Sequence, residues 1–84
     1  MLYYLIVCRS LTYAQRTAAA LERAGIWTRT LRSPKTVSSE GCSHCVRIAR
    51  RDLDAALMVL RRTGLEPKRI FAAQSDGSYM EISL

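Results

Sequence analysis

The chain has 84 residues, of which 49% are hydrophobic, and its 13 Lys and Arg residues against 7 Asp and Glu residues give a formal net charge of +6. This length has room for one core of two packed layers, so we expect a single domain over residues 1–84. The apolar fraction excludes a disordered chain, and the longest apolar run, Leu2–Cys8, is too short to span a membrane. Since this run has no basic segment before it and no cleavage site after it, we expect a cytoplasmic protein.

The first part of the chain predicts a strand, a helix and a second strand. The Leu2–Cys8 run is rich in β-branched and aromatic residues, which is typical of a central strand. Ser10 is the predicted N-cap of an amphipathic helix that Gly25 ends. The alternating segment 26–32 predicts the second strand, which stops before Pro34.

A polar loop over residues 34–43 leads into the predicted third strand, segment 44–50. This segment alternates strictly, so Cys45 and Arg47 are expected on one face and Val46 and Ile48 on the other.

The last part of the chain predicts a helix and a hairpin. Asp52 is the predicted cap of the second amphipathic helix, and Gly64 ends it. Segment 69–74 predicts the fourth strand, and the Asp-Gly pair at 76–77 predicts a turn into a short strand over 79–84.

This order of elements predicts an α+β fold, a ferredoxin-like βαββαβ sandwich with an antiparallel sheet, both helices on one face and a short C-terminal fifth strand. In that arrangement the first and third strands are antiparallel neighbours at the centre of the sheet. The end of the first strand then lies beside the start of the third. We therefore expect Cys8 and Arg9 at the same edge as Cys42, His44 and Cys45.

The three cysteines are an odd number, and in reducing cytosol they favour metal or sulfur chemistry over a disulfide framework. The Cys42-x-x-Cys45 pair could close a disulfide, bind a metal or relay sulfur, and each use needs a thiolate. Arg9, Arg47 and the helix N-terminus would lower the pKa of such a thiol. Cys8 alone is more typical of a small buried hydrophobe. An exposed loop pair without a role remains the alternative.

The sequence predicts neither a metal site nor a cofactor. Cys8, Cys42, His44 and Cys45 could supply four zinc ligands, but three of them lie within four residues, whereas structural zinc sites usually present two separated pairs. His44 could serve as a general base, yet no second histidine or carboxylate completes a hydrolytic site. The glycines stand singly, which excludes a nucleotide-binding loop. We expect a carrier or binding protein rather than an enzyme with turnover.

Arginine supplies eleven of the thirteen positive residues, and arginine favours bidentate contacts to oxyanions. The third strand lacks the glycine and stacking aromatics of RNA-binding sheets, so we do not expect a nucleic-acid partner. Most helix arginines are typical of a solvated face. An anionic or protein partner could still dock beside Arg47 and Cys45, and the edge strands could pair in a homodimer.

Short segments in the right order resemble a small bacterial family, the selenium/sulfur carrier-like proteins. The resemblance runs from Leu2 to about Phe71, and its segments are Tyr4-Leu-Ile-Val-Cys-Arg-Ser10, Leu21-Glu-Arg-Ala-Gly-Ile26, Ser33-Pro34 and Ser38-Ser-Glu-Gly-Cys42. The loop cysteine of the family corresponds to Cys42. Here Ser43 replaces the glycine that commonly follows, and Cys45 adds a second thiol.

The resemblance implies that the protein carries sulfur or selenium as a persulfide or perselenide on Cys42. In this hypothesis Cys45 is the resolving or relay thiol, and a donor or acceptor protein such as a cysteine desulfurase is the partner. The groups expected to support the thiolate are Cys8, Arg9, Ser10, His44 and Arg47. The alternative is a non-enzymatic interaction or regulatory module that pairs by its sheet or binds a small anion.

Overall fold

The structure is a computed structural model, and it describes residues 2–35, 37 and 44–82. The elements in chain order are β1 (Tyr3–Cys8), α1 (Leu11–Arg23), β2 (Arg29–Arg32), β3 (His44–Ala49), α2 (Leu53–Thr63), β4 (Arg69–Ala73) and β5 (Tyr79–Glu81). The predicted order of elements is confirmed, although β2 begins at Arg29 rather than at residue 26. Neither of the two described helices is long and apolar enough to cross a membrane.

The five strands form one antiparallel sheet in the order β2-β3-β1-β4-β5. The predicted pairing of the first and third strands is confirmed, and both element order and strand order are compatible with a ferredoxin-like arrangement carrying an added fifth strand. β1 lies at the centre because its run of apolar side chains can be buried on both sides. Leu5 and Ile6, which point to opposite faces, are both 0% exposed.

The two faces of the sheet are covered differently. On the helix face, alternate residues of β1 and β3 pack against both helices; this cluster includes Ile6, Cys8, Val46, Leu21 and Leu60. We call the opposite side the open face. There a smaller buried cluster contains Leu5, Val7, Val37, Cys45 and Phe71, and no helix residue belongs to it. Val37 comes from the segment that the sequence predicts to be a polar loop, and its side chain supplies part of the covering that the helices provide on the other side.

The helix ends follow from local chemistry, with one exception. Ser10 Oγ accepts a hydrogen bond from the Tyr13 backbone N–H at 3.1 Å, which confirms the predicted cap of α1. Gly64 has a φ of 73° and ends α2 in the left-handed conformation, as predicted. The predicted cap of α2 is wrong: Asp52 makes no capping hydrogen bond. A 3-10 turn over Arg50–Asp52 precedes the helix, so Asp52 lacks the extended backbone of an N-cap residue.

Candidate functional site

Cys8 and Cys45 lie at the same end of neighbouring strands but on opposite faces of the sheet. Cys8 pairs with His44, and Val7 pairs with Cys45. Because paired residues share a face and successive residues alternate, Cys8 and His44 point toward the helices while Cys45 points to the open face. The register therefore brings these residues to one edge, as the sequence predicts, but the sheet separates the two thiols.

Cys8 is buried against α1, with 1% of its surface exposed. Its Sγ lies within hydrogen-bonding distance of two oxygens, the Ile6 carbonyl oxygen at 3.7 Å and Thr17 Oγ1 at 3.8 Å. Burial raises the pKa of the Cys8 thiol, an effect that the hydrogen bond with Thr17 partly opposes and the charge of Cys45 reinforces. Cys8 is therefore a neutral thiol at physiological pH, which fits the small hydrophobe suggested by its sequence context.

Cys45 is 0% exposed and packs in the open-face cluster with Leu5, Val7 and Val37. Burial raises the pKa of this thiol, and the neighbouring Ser33 hydroxyl acts in the opposite direction. Ser33 Oγ is itself buried, and it makes no hydrogen bond of normal geometry with the residues that the structure describes. We therefore treat Ser33 as a polar neighbour of Cys45 rather than as an activating partner.

Three of the predicted supporting groups lie where β1 ends and β3 begins. Ser10 caps α1. Arg9 is exposed, and its Cζ lies 4.9 Å from the centre of the Tyr13 ring. His44 is half-buried beside Cys8, and within the described ranges its buried Nδ1 has no hydrogen-bond partner. These groups lie near the helix-face end of β1, whereas Cys45 belongs to the buried cluster of the open face.

Arg47 shares the open face with Cys45, as the alternation of β3 predicts, but its charged end contacts aromatic rings. Its Cζ lies 3.9 Å from the centre of the Tyr3 ring and 6.0 Å from that of Trp27. Arg47 does not contribute to the shift in the pKa of Cys45. The contacts of Arg47 thus place its guanidinium among the aromatic rings of Tyr3 and Trp27.

The aromatic cluster consists of Tyr3, Trp27 and Tyr79 beside Arg47, and the sequence did not predict it. Tyr3 and Tyr79 lie on either side of Ala73 in one row across the sheet, and their hydroxyl oxygens meet at 3.4 Å. The hydrogen bond with Tyr3, followed by burial, raises the pKa of Tyr79 to about 12. Trp27 is 56% exposed at the side of the cluster. Only the strand register joins Tyr3 to Tyr79, so residue spacing carried no signal for it.

Cys42, the thiol on which the sequence hypothesis centres, lies outside the described residues. In the part of the chain that the structure does describe, no three His, Cys, Asp or Glu side chains are placed to hold a metal ion.

Comparison with known proteins identifies the family. A family model described as "Putative Se/S carrier protein-like" matches residues 3–72, a segment that contains all three cysteines. The chain belongs to this family. A search of curated proteins and a search of solved structures each found no match. Membership of the Se/S carrier-like family points to sulfur or selenium transfer, and to proteins that give or receive these atoms as the relevant partners.

Proposed function

We propose that this Se/S carrier-like protein holds a sulfur or selenium atom as a persulfide or perselenide on Cys42. The observation that carries the proposal is the burial of the other two thiols, Cys45 at 0% and Cys8 at 1% exposed, with the pKa of each raised. Exchange chemistry needs a thiolate that a donor sulfur can reach. That leaves Cys42, the thiol that corresponds to the loop cysteine of the family, as the candidate carrier.

The uptake step is a thiol exchange that needs no external oxidant. The Cys42 thiolate attacks the terminal sulfur of a persulfide, R–S–SH, on a donor such as a cysteine desulfurase. A new S–S bond forms at Cys42, the donor S–S bond breaks, and the donor leaves as the thiolate R–S⁻. The terminal sulfur keeps its proton, so the product is Cys42–S–SH. Release onto an acceptor thiolate repeats the same exchange, and selenium would take the terminal position in a perselenide.

Cys45 is the proposed resolving thiol, and its burial controls when it acts. A Cys45 thiolate that attacked Sγ of persulfidated Cys42 would form a disulfide and expel HS⁻, after which a cellular thiol would have to reduce the disulfide. Cys45 is fully covered in a cluster that includes Val37, and its raised pKa keeps it protonated. The covering therefore protects the carried atom from loss as sulfide, which favours a carrier over a disulfide oxidoreductase.

Arg9 and the capped N-terminus of α1 are the groups that would stabilise an anionic sulfur, because they lie where β1 ends beside the start of β3. His44, at the start of β3, is the proposed proton acceptor. The alternative of homodimer formation through sheet edges is less well supported. The edge strands β2 and β5 have four and three residues, and arginines on β2 discourage edge pairing.

The test is the intact mass of the protein after incubation with cysteine persulfide. We expect the wild type to gain about 32 Da per sulfur atom, or about 79 Da per selenium atom with the corresponding selenium donor. Cys8→Ser and Cys45→Ser should keep this gain, and Cys42→Ser should lose it. The proposal fails if Cys42→Ser, shown by its unfolding curve to be folded, gains the atom as readily as the wild type.

A further inference from the structure

Two arginines face each other on the open side of the sheet. Arg29 of β2 and Arg47 of β3 are direct cross-strand partners, so both side chains leave the sheet on the same face. Like charges in this position repel each other. Among the described residues, no ion pair joins Arg29 or Arg47 to a carboxylate, and the Glu81 carboxylate is paired with Arg69 at 3.1 Å. An anion between the two arginines would remove the repulsion.

Arg47 is held in a position that suits such an anion. Its guanidinium lies over the Tyr3 ring with Cζ 3.9 Å from the ring centre, and the side chain is half-buried. A guanidinium that stacks through its flat face keeps its N–H donors at the edge, where they match two oxygens of one oxyanion. Because packing already restricts the side chain, bidentate binding costs less rotamer entropy than it would for an exposed arginine.

The surroundings of the two arginines are compatible with negative charge. Tyr3 and Tyr79 share a hydrogen bond at 3.4 Å, and since the pKa of Tyr79 is raised to about 12 it stays a neutral phenol at physiological pH. Trp27 lies 6.0 Å from the Arg47 guanidinium and is 56% exposed, so a flat apolar ring is available beside the charge.

We propose that Arg29 and Arg47 bind a phosphate-type dianionic oxyanion on the open face, next to Trp27. The two negative charges of a phosphate match the two positive charges of the guanidiniums, whereas a single carboxylate would neutralise only one of the two guanidiniums. The phosphate can be free or part of a nucleotide, and a nucleotide base could in addition stack on the exposed Trp27 ring. This site involves none of the three cysteines and is independent of the proposed carrier function.

The chain contains a single tryptophan, so the indole N–H resonance of Trp27 is an unambiguous reporter. We would titrate the full chain with inorganic phosphate, adenosine 5′-monophosphate and acetate at constant ionic strength. Phosphate should shift the resonance with saturation, and acetate should bind at least about 10-fold more weakly. Tighter binding of the nucleotide than of phosphate would assign the phosphate to a nucleotide, while equal binding would assign the site to the free anion.

Charge-matched variants separate the site from the general positive charge of the protein. Arg47→Gln and Arg29→Gln should each weaken phosphate binding about 10-fold. Arg16→Gln, which removes an exposed arginine from α1, should leave it unchanged, as should Cys42→Ser. The proposal is overturned if phosphate shifts the Trp27 resonance no more than acetate does, or if Arg16→Gln weakens phosphate binding as much as Arg29→Gln does. Because Arg29 is exposed, its substitution should leave the fold intact.

Discussion

When the native protein is treated with a small alkylating reagent at about pH 8, we expect Cys45 and Cys8 to react at least about 100-fold more slowly than in the unfolded chain. Both side chains are almost completely inaccessible, at 0% and 1% exposure. The reagent can therefore reach either sulfur only when the local structure opens.

The free energy of local opening sets the magnitude. An opening that costs about 3 kcal/mol exposes the thiol in less than about 1% of the molecules, which gives the factor of about 100. Burial raises the pKa of both thiols in the closed structure, so the reactive thiolate forms only after the thiol has become exposed. The raised pKa and the lost access are two consequences of the same burial, so they do not multiply.

The assay is tryptic peptide mapping after timed labelling. Lys35 and Arg47 bound a peptide, residues 36–47, that contains Cys42 and Cys45, and tandem mass spectrometry distinguishes these two sites. Labelling in denaturant supplies the reference rate for each cysteine. Reaction of native Cys45 within about 10-fold of its unfolded rate would refute the reasoning.

A matched variant tests whether the covering of the open face protects Cys45. Val37→Ala removes part of the cluster around Cys45 and should speed its alkylation. The same variant should leave Cys8 unchanged, because Cys8 packs on the opposite face against α1. Equal acceleration of both thiols would indicate global destabilisation and contradict the separate covering of the two faces.

Three further predictions concern stability, each measured by denaturant or thermal unfolding. The folded-state pKa of Cys8 is raised, so the contribution of its neutral thiol to the free energy of unfolding is fully present below about pH 9 and is lost at higher pH. The free energy of unfolding of Cys8→Ala should therefore fall less steeply with alkaline pH than that of the wild type, and an equal slope would contradict this. Gly64→Ala should cost about 1–2 kcal/mol from its φ of 73° alone, since nothing lies within 4 Å of an added Cβ, and Gly64→Asn should cost less. Ser10→Ala should cost about 1 kcal/mol, whereas exposed Ser75→Ala should change stability by less than about 0.5 kcal/mol, and similar losses in both would argue against the cap.

The sequence was sufficient for the features that depend on neighbouring residues. The apolar run at residues 2–8 predicted a central strand, and the structure buries both of its faces. The glycines at positions 25, 64 and 77, each with a positive φ, mark the end of α1, the end of α2 and the last turn as predicted. Asp52 is the local exception, because a 3-10 turn occupies the position where a cap was expected.

Features that depend on strand register could not be read from the sequence. Alternation along β3 placed Cys45 and Arg47 on one face, but it could not show that Cys8 lies on the other. The contact between Tyr3 and Tyr79 joins residues 76 positions apart and exists only because β4 lies between their strands. Val37, in a polar segment, carried no periodic signal for its burial.

The position of the bound sulfur tests the carrier function most directly. The native protein would be incubated with cysteine persulfide, trapped with an alkylating reagent and digested, and the peptide over residues 36–47 sequenced by tandem mass spectrometry. We predict an alkylated persulfide on Cys42 and no added sulfur on Cys45. An alkylated persulfide on Cys45 or Cys8, with none on Cys42, would contradict the proposed function.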